Sequence, residues 1–307
     1  MTIKLIAIKI PFRSIVTMLL TIGLIRGIQA KDTNVNLEAT IASANKGDAK
    51  AEYQLGRDFL KGSGVNKNYA RAVQYLRLAA DQGYADAQVT LGSLYGKGQG
   101  VPVNLATAVS WYRKAADQGN ALAQYVVGNF YYTGHGVTND FDQAIAWWQK
   151  AAAQNQVDAE TALGQLYLIP AAPYGTRYLN PAAAVPWLRK AAAQGSVRAL
   201  NNLGVAYENG LGVRRDFVQA AKWYRAAATR GDAQGQANLG QLYRYGQGVN
   251  KDLVAAYAWF KLSSSQGSPL GSVNFSELET SGLLTPAQLD EAEQRIADLK
   301  KQIQTRP

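Results

Sequence analysis

The residues that could do chemistry are few, and their spacing argues against a catalytic centre. His135 is the only histidine and there is no cysteine, so the usual zinc sets of histidine and thiolate cannot be assembled. His135 stands in Gly134-His135-Gly136, between two expected helices; a Ser-His-Asp triad there would have its nucleophile at a hairpin tip, with no pocket to exclude water. The carboxylates of Asp81, Asp86, Asp117, Asp158, Glu208 and Glu291 are scattered, and sequence alone leaves open a pair suited to glycoside chemistry. The Gly-x-Gly motifs lie between helices and lack the strand and lysine of a phosphate loop. No catalytic residue, metal ligand or cofactor is expected, and the remaining candidates are binding residues.

Two ladders define the elements that must position them. Gly56, Gly92, Gly128, Gly164, Gly204 and Gly240 are separated by 36, 36, 36, 40 and 36 residues. Leu or Val precedes each, and an aromatic follows three residues later: Phe59, Tyr95, Tyr131, Tyr167, Tyr207 and Tyr243. The second ladder is Ala72, Ala108, Ala144, Ala184, Ala220 and Ala256, each followed after three residues by Tyr75, Trp111, Trp147, Trp187, Trp223 or Trp259. Gly-x-Gly-Val joins the two ladders in five of the six units, and each unit ends in Gly or Asn: Gly83, Gly119, Asn155, Gly195, Gly231 and Gly267. Such a period predicts stacked helical hairpins. At about 100° per residue, the residue before the glycine and the aromatic after it share one face, which packs on the partner helix. The six Trp and most of the seventeen Tyr are expected in the core.

The opposite face of each first helix repeats no core pattern. It offers Tyr53, Arg57, Tyr125, Asn129, Tyr132, Gln165, Arg198, Asn201, Gln241, Arg244 and Tyr245, a mixture suited to carbonyls and carboxylates of a protein or peptide. A varied solvated face is the plain alternative. The fourth unit is four residues longer and replaces Gly-x-Gly-Val with a loop carrying Pro170 and Pro173, in which Tyr174, Arg177 and Tyr178 are candidates for exposure. Loops on rigid scaffolds often carry function, and Tyr and Arg are common hot-spot residues; a tolerated insertion is the alternative.

Segments such as ADAQVTLGSLYGKGQGVPVNLATAVSWYRKAADQG resemble Sel-one-like repeats, a branch of the tetratricopeptide-like solenoids. The resemblance covers roughly residues 47–267. It implies an all-α, right-handed α-solenoid of about six 36-residue helix-turn-helix repeats, with the first helices lining a concave surface. It also implies a scaffold or adaptor that binds another protein. Further readings are an exported immunity protein neutralising a phospholipase effector of type VI secretion, and a binder of cell-wall glycan. Some cysteine-rich relatives staple each hairpin with a disulfide; this chain departs from them, and their suggested activities are not carried over.

The expected organisation is a leader at 1–30, an N-terminal capping helix within 31–46, repeats at 47–83, 84–119, 120–155, 156–195, 196–231 and 232–267, and a C-terminal capping segment at 268–307. Lys4, Lys9 and Arg13 precede an apolar run from Ile15 to Ile25, followed by Ile28-Gln29-Ala30, which reads as a secretory signal peptide. The run is shorter than the roughly 20 residues that span a bilayer, although Arg26 keeps an uncleaved anchor as an alternative; membrane contact is otherwise not expected. A periplasmic or secreted protein follows from this reading. Removing 1–30 takes off four basic residues and no acid, lowering the formal charge from +10 to +6. No nucleic-acid motif accompanies that charge, and no nucleic-acid partner is expected. The remaining chain of about 277 residues is long enough to bury a core without disulfides. Near the C-terminus, Thr285-Pro286-Ala287-Gln288 reads as a capping box opening a helix with Leu289, Ala292, Ile296 and Leu299 on one side.

Overall fold

A computed structural model describes residues 35–169 and 176–304; the leader, and Tyr174 with the prolines of its loop, lie outside the described residues. Among the described residues there are fifteen α-helices and no strand, the arrangement of an all-α solenoid. Helix α1 (Val35–Asn45) precedes six hairpins. Their first and second helices are α2 (Ala49–Lys61) and α3 (Tyr69–Asp81), α4 (Ala85–Lys97) and α5 (Leu105–Asp117), α6 (Ala121–Thr133) and α7 (Phe141–Ala152). Next come α8 (Val157–Leu168) and α9 (Pro181–Ala193), α10 (Val197–Asn209) and α11 (Phe217–Ala228), α12 (Ala233–Tyr245) and α13 (Leu253–Ser265). Two further helices follow, α14 (Pro269–Thr280) and α15 (Pro286–Gln304). The chain divides into two compact units, residues 1–150 and 151–307, with the boundary inside α7. No described helix is long and apolar enough to cross a membrane.

Helix boundaries follow from side chains that satisfy free backbone amides. Asn68 and Asn104 accept from the amides of Arg71 and Thr107 at 3.0 and 2.9 Å, starting α3 and α5. Asp216 and Asp252 do the same for α11 and α13. The hairpins end in the left-handed region at Gly83, Gly119, Asn155, Gly195, Gly231 and Gly267, with φ between 59° and 91°. Asn155 is the one non-glycine with positive φ among the described residues.

Within each hairpin the ladder glycine lets the second helix approach. A Cβ added to Gly128 would lie 2.4 Å from Trp148 Cδ1, and one on Gly204 would lie 2.4 Å from Tyr224. The partners of the six glycines are Leu76, Tyr112, Trp148, Leu188, Tyr224 and Phe260. They stand one residue beyond the aromatic ladder read from the sequence. The expectation for the aromatics therefore needs correction. Trp111, Trp147, Trp148 and Trp259 are buried, but Trp187 and Trp223 are only half-buried. Of the described tyrosines, only Tyr75, Tyr112, Tyr224 and Tyr257 are buried. The reason is the phenol: Tyr131, Tyr207 and Tyr243 keep their hydroxyls at the edge, where Arg113, Arg189 and Arg225 donate to them at 2.9, 2.6 and 2.7 Å.

A buried amide ladder joins successive repeats. Gln88, Gln124 and Gln236 on first helices donate to the carbonyls of Ala80, Ala116 and Ala228 on the preceding second helices, at 3.1, 3.1 and 3.2 Å. Gln118 and Gln266 donate in turn to Gln88 and Gln236. Glu52 and Glu160 occupy the same register, and both are buried.

In the second unit, α14 continues the repeat phase. Its Gly271 lies against Ser263 of α13 much as Gly235 lies against Ala227 of α11. Helix α15 then covers α13, burying Ala292 and Ile296, while Arg295 pairs with Asp252 at 2.7 Å. The capping box forms: the Thr285 amide donates to Gln288 Oε1 and the Gln288 amide to Thr285 Oγ1.

Candidate functional site

The first-helix face of the first unit gathers its polar and aromatic residues into a groove. Helix α1 supplies one wall with Ala39, Thr40 and Ser43. Helix α2 supplies Lys50, Tyr53, Gln54 and Arg57, and Tyr84 and Asp86 close the far side. The groove has a volume of about 530 Å³. The rings of Tyr53 and Tyr84 lie 5.0 Å apart at 39°, and the Arg57 guanidinium sits 5.6 Å from the Tyr53 centroid. Burial, aided by the carboxylate of Asp86, pushes the Tyr84 phenol up. The site presents two tilted rings, two cations, Lys50 and Arg57, and two carboxylates, Asp48 and Asp86, to whatever enters.

Tyr84 is a residue that sequence reasoning passed over. It stands at the N-cap of α4 and makes no capping bond with its side chain. The same position opens the other first helices with Asp48, Asn120, Gln156, Ser196 and Asp232, each accepting from an amide three residues on. That interrupted run of capping residues was the available signal.

The third repeat forms a second cluster. Tyr132 is 36% exposed, edge-on to Phe141 at 4.8 Å and tilted against Trp148 at 5.4 Å. Asn129 accepts from Trp148 Nε1 at 3.1 Å, which ties one candidate to the packing of the hairpin. Tyr125 is half-buried on the same helix.

In the second unit the candidates divide. Gln165 and Arg198 are exposed, and Gln241 is half-buried. Arg177 is exposed with its guanidinium 5.0 Å from the Tyr178 ring. Tyr245 is 60% exposed beside Arg244, whose guanidinium lies 5.5 Å from its ring. Arg244 itself reaches Glu277 at 3.0 Å and Asn274 at 3.3 Å, so it ties α14 to α12. Asn201 does not stand on an open face: it is buried, and its side-chain oxygen accepts from Asn238 at 3.0 Å between α10 and α12. Of the residues expected on this face, the structure brings together Tyr53 with Arg57, Asn129 with Tyr132 through their shared contact with Trp148, and Arg244 with Tyr245. His135 is exposed in the third hairpin loop.

A family model described as the Sel1 repeat matches six consecutive segments, residues 49–84, 85–120, 121–156, 157–196, 197–232 and 233–268. Two solved structures are similar over most of the chain. One is c5321, a protective antigen present in uropathogenic Escherichia coli strains and displaying an SLR fold: 34% identical, TM-score 0.72, covering 86% of this chain and 56% of that one. The chain thus spans little more than half the length of that antigen. The other is the Sel1 repeat protein from Oxalobacter formigenes, 32% identical with TM-score 0.69, covering 83% of this chain and 99% of that one. An immunity protein from Pseudomonas aeruginosa is 22% identical with TM-score 0.42, covering 78% and 89%, a likeness too distant to bear on function. No curated protein matches the sequence.

Proposed function

The chain belongs to the Sel1 repeat family, whose members are in general protein-interaction scaffolds, and on that footing we propose that it is a non-enzymatic scaffold holding a partner protein or peptide on its first-helix face. The groove of Tyr53, Arg57 and Tyr84 is its anchor in the first unit. One observation carries the reading: Tyr84 occupies a helix N-cap without capping it. Replacing a good N-cap residue typically costs about 1 kcal/mol, and the ring that stands there instead packs on the core of the first unit while it lines the groove. Paired tyrosines beside an arginine are the composition of a binding hot spot, because they offer large rigid contact area with few rotamers to freeze.

The reading of residues 1–30 as a leader assigns this work to the periplasm. Fusion of those residues to a reporter active only after export tests that assignment, and a reporter inactive in the fusion would remove it.

The function is tested by cross-linking residues 31–307 in cells and comparing them with the double variant Tyr53→Ala, Tyr84→Asn. Asparagine restores a capping side chain to α4, so the variant retains its helices while the ring pair is gone. The expected result is a partner protein captured by the parent and lost from the variant. Equal capture by both would refute the groove as the anchor.

A further inference from the structure

Charge is divided unevenly between the two helices of each hairpin. The six first helices carry six Lys or Arg and six Asp or Glu. The six second helices carry ten Lys or Arg and only three acids, Asp81, Asp117 and Asp142. The excess of basic residues therefore lies on the second helices.

The cations of these helices are held in place. In the first unit Arg77 donates to the Tyr95 hydroxyl and Arg113 to that of Tyr131, while the ammonium groups of Lys114 and Lys150 lie 3.8 and 4.1 Å from the ring centroids of Trp111 and Trp147. The second unit repeats the device. Arg189 and Arg225 donate to Tyr207 and Tyr243, and Lys190 lies 4.9 Å from the Trp187 centroid. All of these cations are exposed, as is Lys222. Stacking on rings and bonding to phenols reduce the rotamer freedom that a binding partner would otherwise have to freeze, leaving the charges set out at repeat intervals.

We propose that in each unit, taken by itself, the second helices present a second docking surface, and that its partner is an acidic segment of a protein rich in Asp and Glu. Charge complementarity selects an anion, and two further features select its kind. Of the large apolar side chains exposed among the described residues, only Val218 lies on a second helix, so these helices lack the protruding anchors of a membrane-surface helix. The indole rings of Trp111, Trp147 and Trp187 are covered by lysines and offer no open platform for stacked bases. Guanidinium and ammonium groups at repeat spacing fit carboxylates on an extended chain.

The test uses residues 31–307 and the variant Lys114→Gln, Lys150→Gln, Lys190→Gln, Lys222→Gln, which removes four charges while sparing every Arg–Tyr hydrogen bond. The probes are a poly-glutamate peptide, vesicles containing phosphatidylglycerol, and a single-stranded oligonucleotide. At about 150 mM salt the parent should bind the peptide more tightly than the other two, with affinity falling as salt rises. The variant should bind it at least about tenfold more weakly, equivalent to about 1.4 kcal/mol. The double variant Tyr53→Ala, Tyr84→Asn should bind it like the parent, which separates this face from the groove. Tighter binding to vesicles or oligonucleotide, or unchanged peptide binding by the lysine variant, would overturn the proposal.

Discussion

Glu160 is fully buried on α8 in a register where three other repeats place glutamine. One carboxylate oxygen accepts from Gln194 at 2.7 Å, and the other has no partner. Burial pushes the carboxyl above its usual range, and neither the Lys190 charge nor the Gln194 bond cancels that rise. A raised carboxyl favours the native state only while the proton stays on. Stability therefore falls as pH rises from the unfolded value near about 4.3 through the folded value. Glu160→Gln removes the charge, and its amide can donate to the Ala152 carbonyl as Gln88 does to Ala80. The variant should gain roughly 1 kcal/mol at pH 7, read as a higher Tm, and nothing at about pH 3, where both states of the parent hold the proton. A lower Tm at pH 7 would show that the carboxylate itself is needed. The sequence placed an acid and amides at one spacing here, but without burial the two are interchangeable surface residues.

Helix α15 is held by the buried Ala292 and Ile296, by the partly buried Leu289, Leu299 and Ile303, and by a short set of ion pairs, so its attachment can be loosened without disturbing the hairpins. Ile296→Ala should weaken the docking of α15 by about 2–4 kcal/mol. Trypsin should then cut first within α15, at Arg295, Lys300 or Lys301, and leave α2–α13 intact. Simultaneous digestion of the whole chain would contradict an independently detaching cap. Asp252 works in the same direction. Burial opposes its charge, but the bond from the Ala255 amide and the pairing with Arg295 prevail and hold the carboxyl below its usual value. That contribution is present above about pH 4 and is lost as pH falls through the folded value. Sequence reading found this helix because its capping box and its apolar spacing are both local signals. It passed over α14, where Ser276 replaces the ladder glycine and Glu279 the aromatic, leaving no ladder to follow. It also missed the partners of the ladder glycines. Leu, Tyr, Trp and Phe share bulk there rather than a chemical class, and bulk alone does not register as a motif.

At the scale of the molecule, the repeats predict how damage spreads. Each hairpin carries its own glycine contact, and within each unit neighbouring hairpins are linked by shared hydrophobic packing, by amide bonds and by Arg–Tyr bonds, so stability should behave as a sum of repeat and nearest-neighbour contributions. In Gly240→Ala the new methyl would lie 2.7 Å from Phe260, forcing the ring or the helix to move. Overpacking of this kind typically costs about 1–3 kcal/mol. The cost should stay local: hydrogen exchange should quicken in α12, α13 and the helices packed on them, while α3 and α4 retain the protection of the parent. The same substitution at Gly92, where the methyl would meet Tyr112 at 2.9 Å, should mirror the pattern in the first unit and spare α12 and α13. If either substitution lowered protection evenly from α2 to α13, the hairpins would be one cooperative body and the nearest-neighbour account would fail. The outcome bears on function as well. A scaffold whose repeats loosen separately can adjust one binding face to a partner while the other stays ordered, whereas a fully cooperative one must hold both faces or lose both.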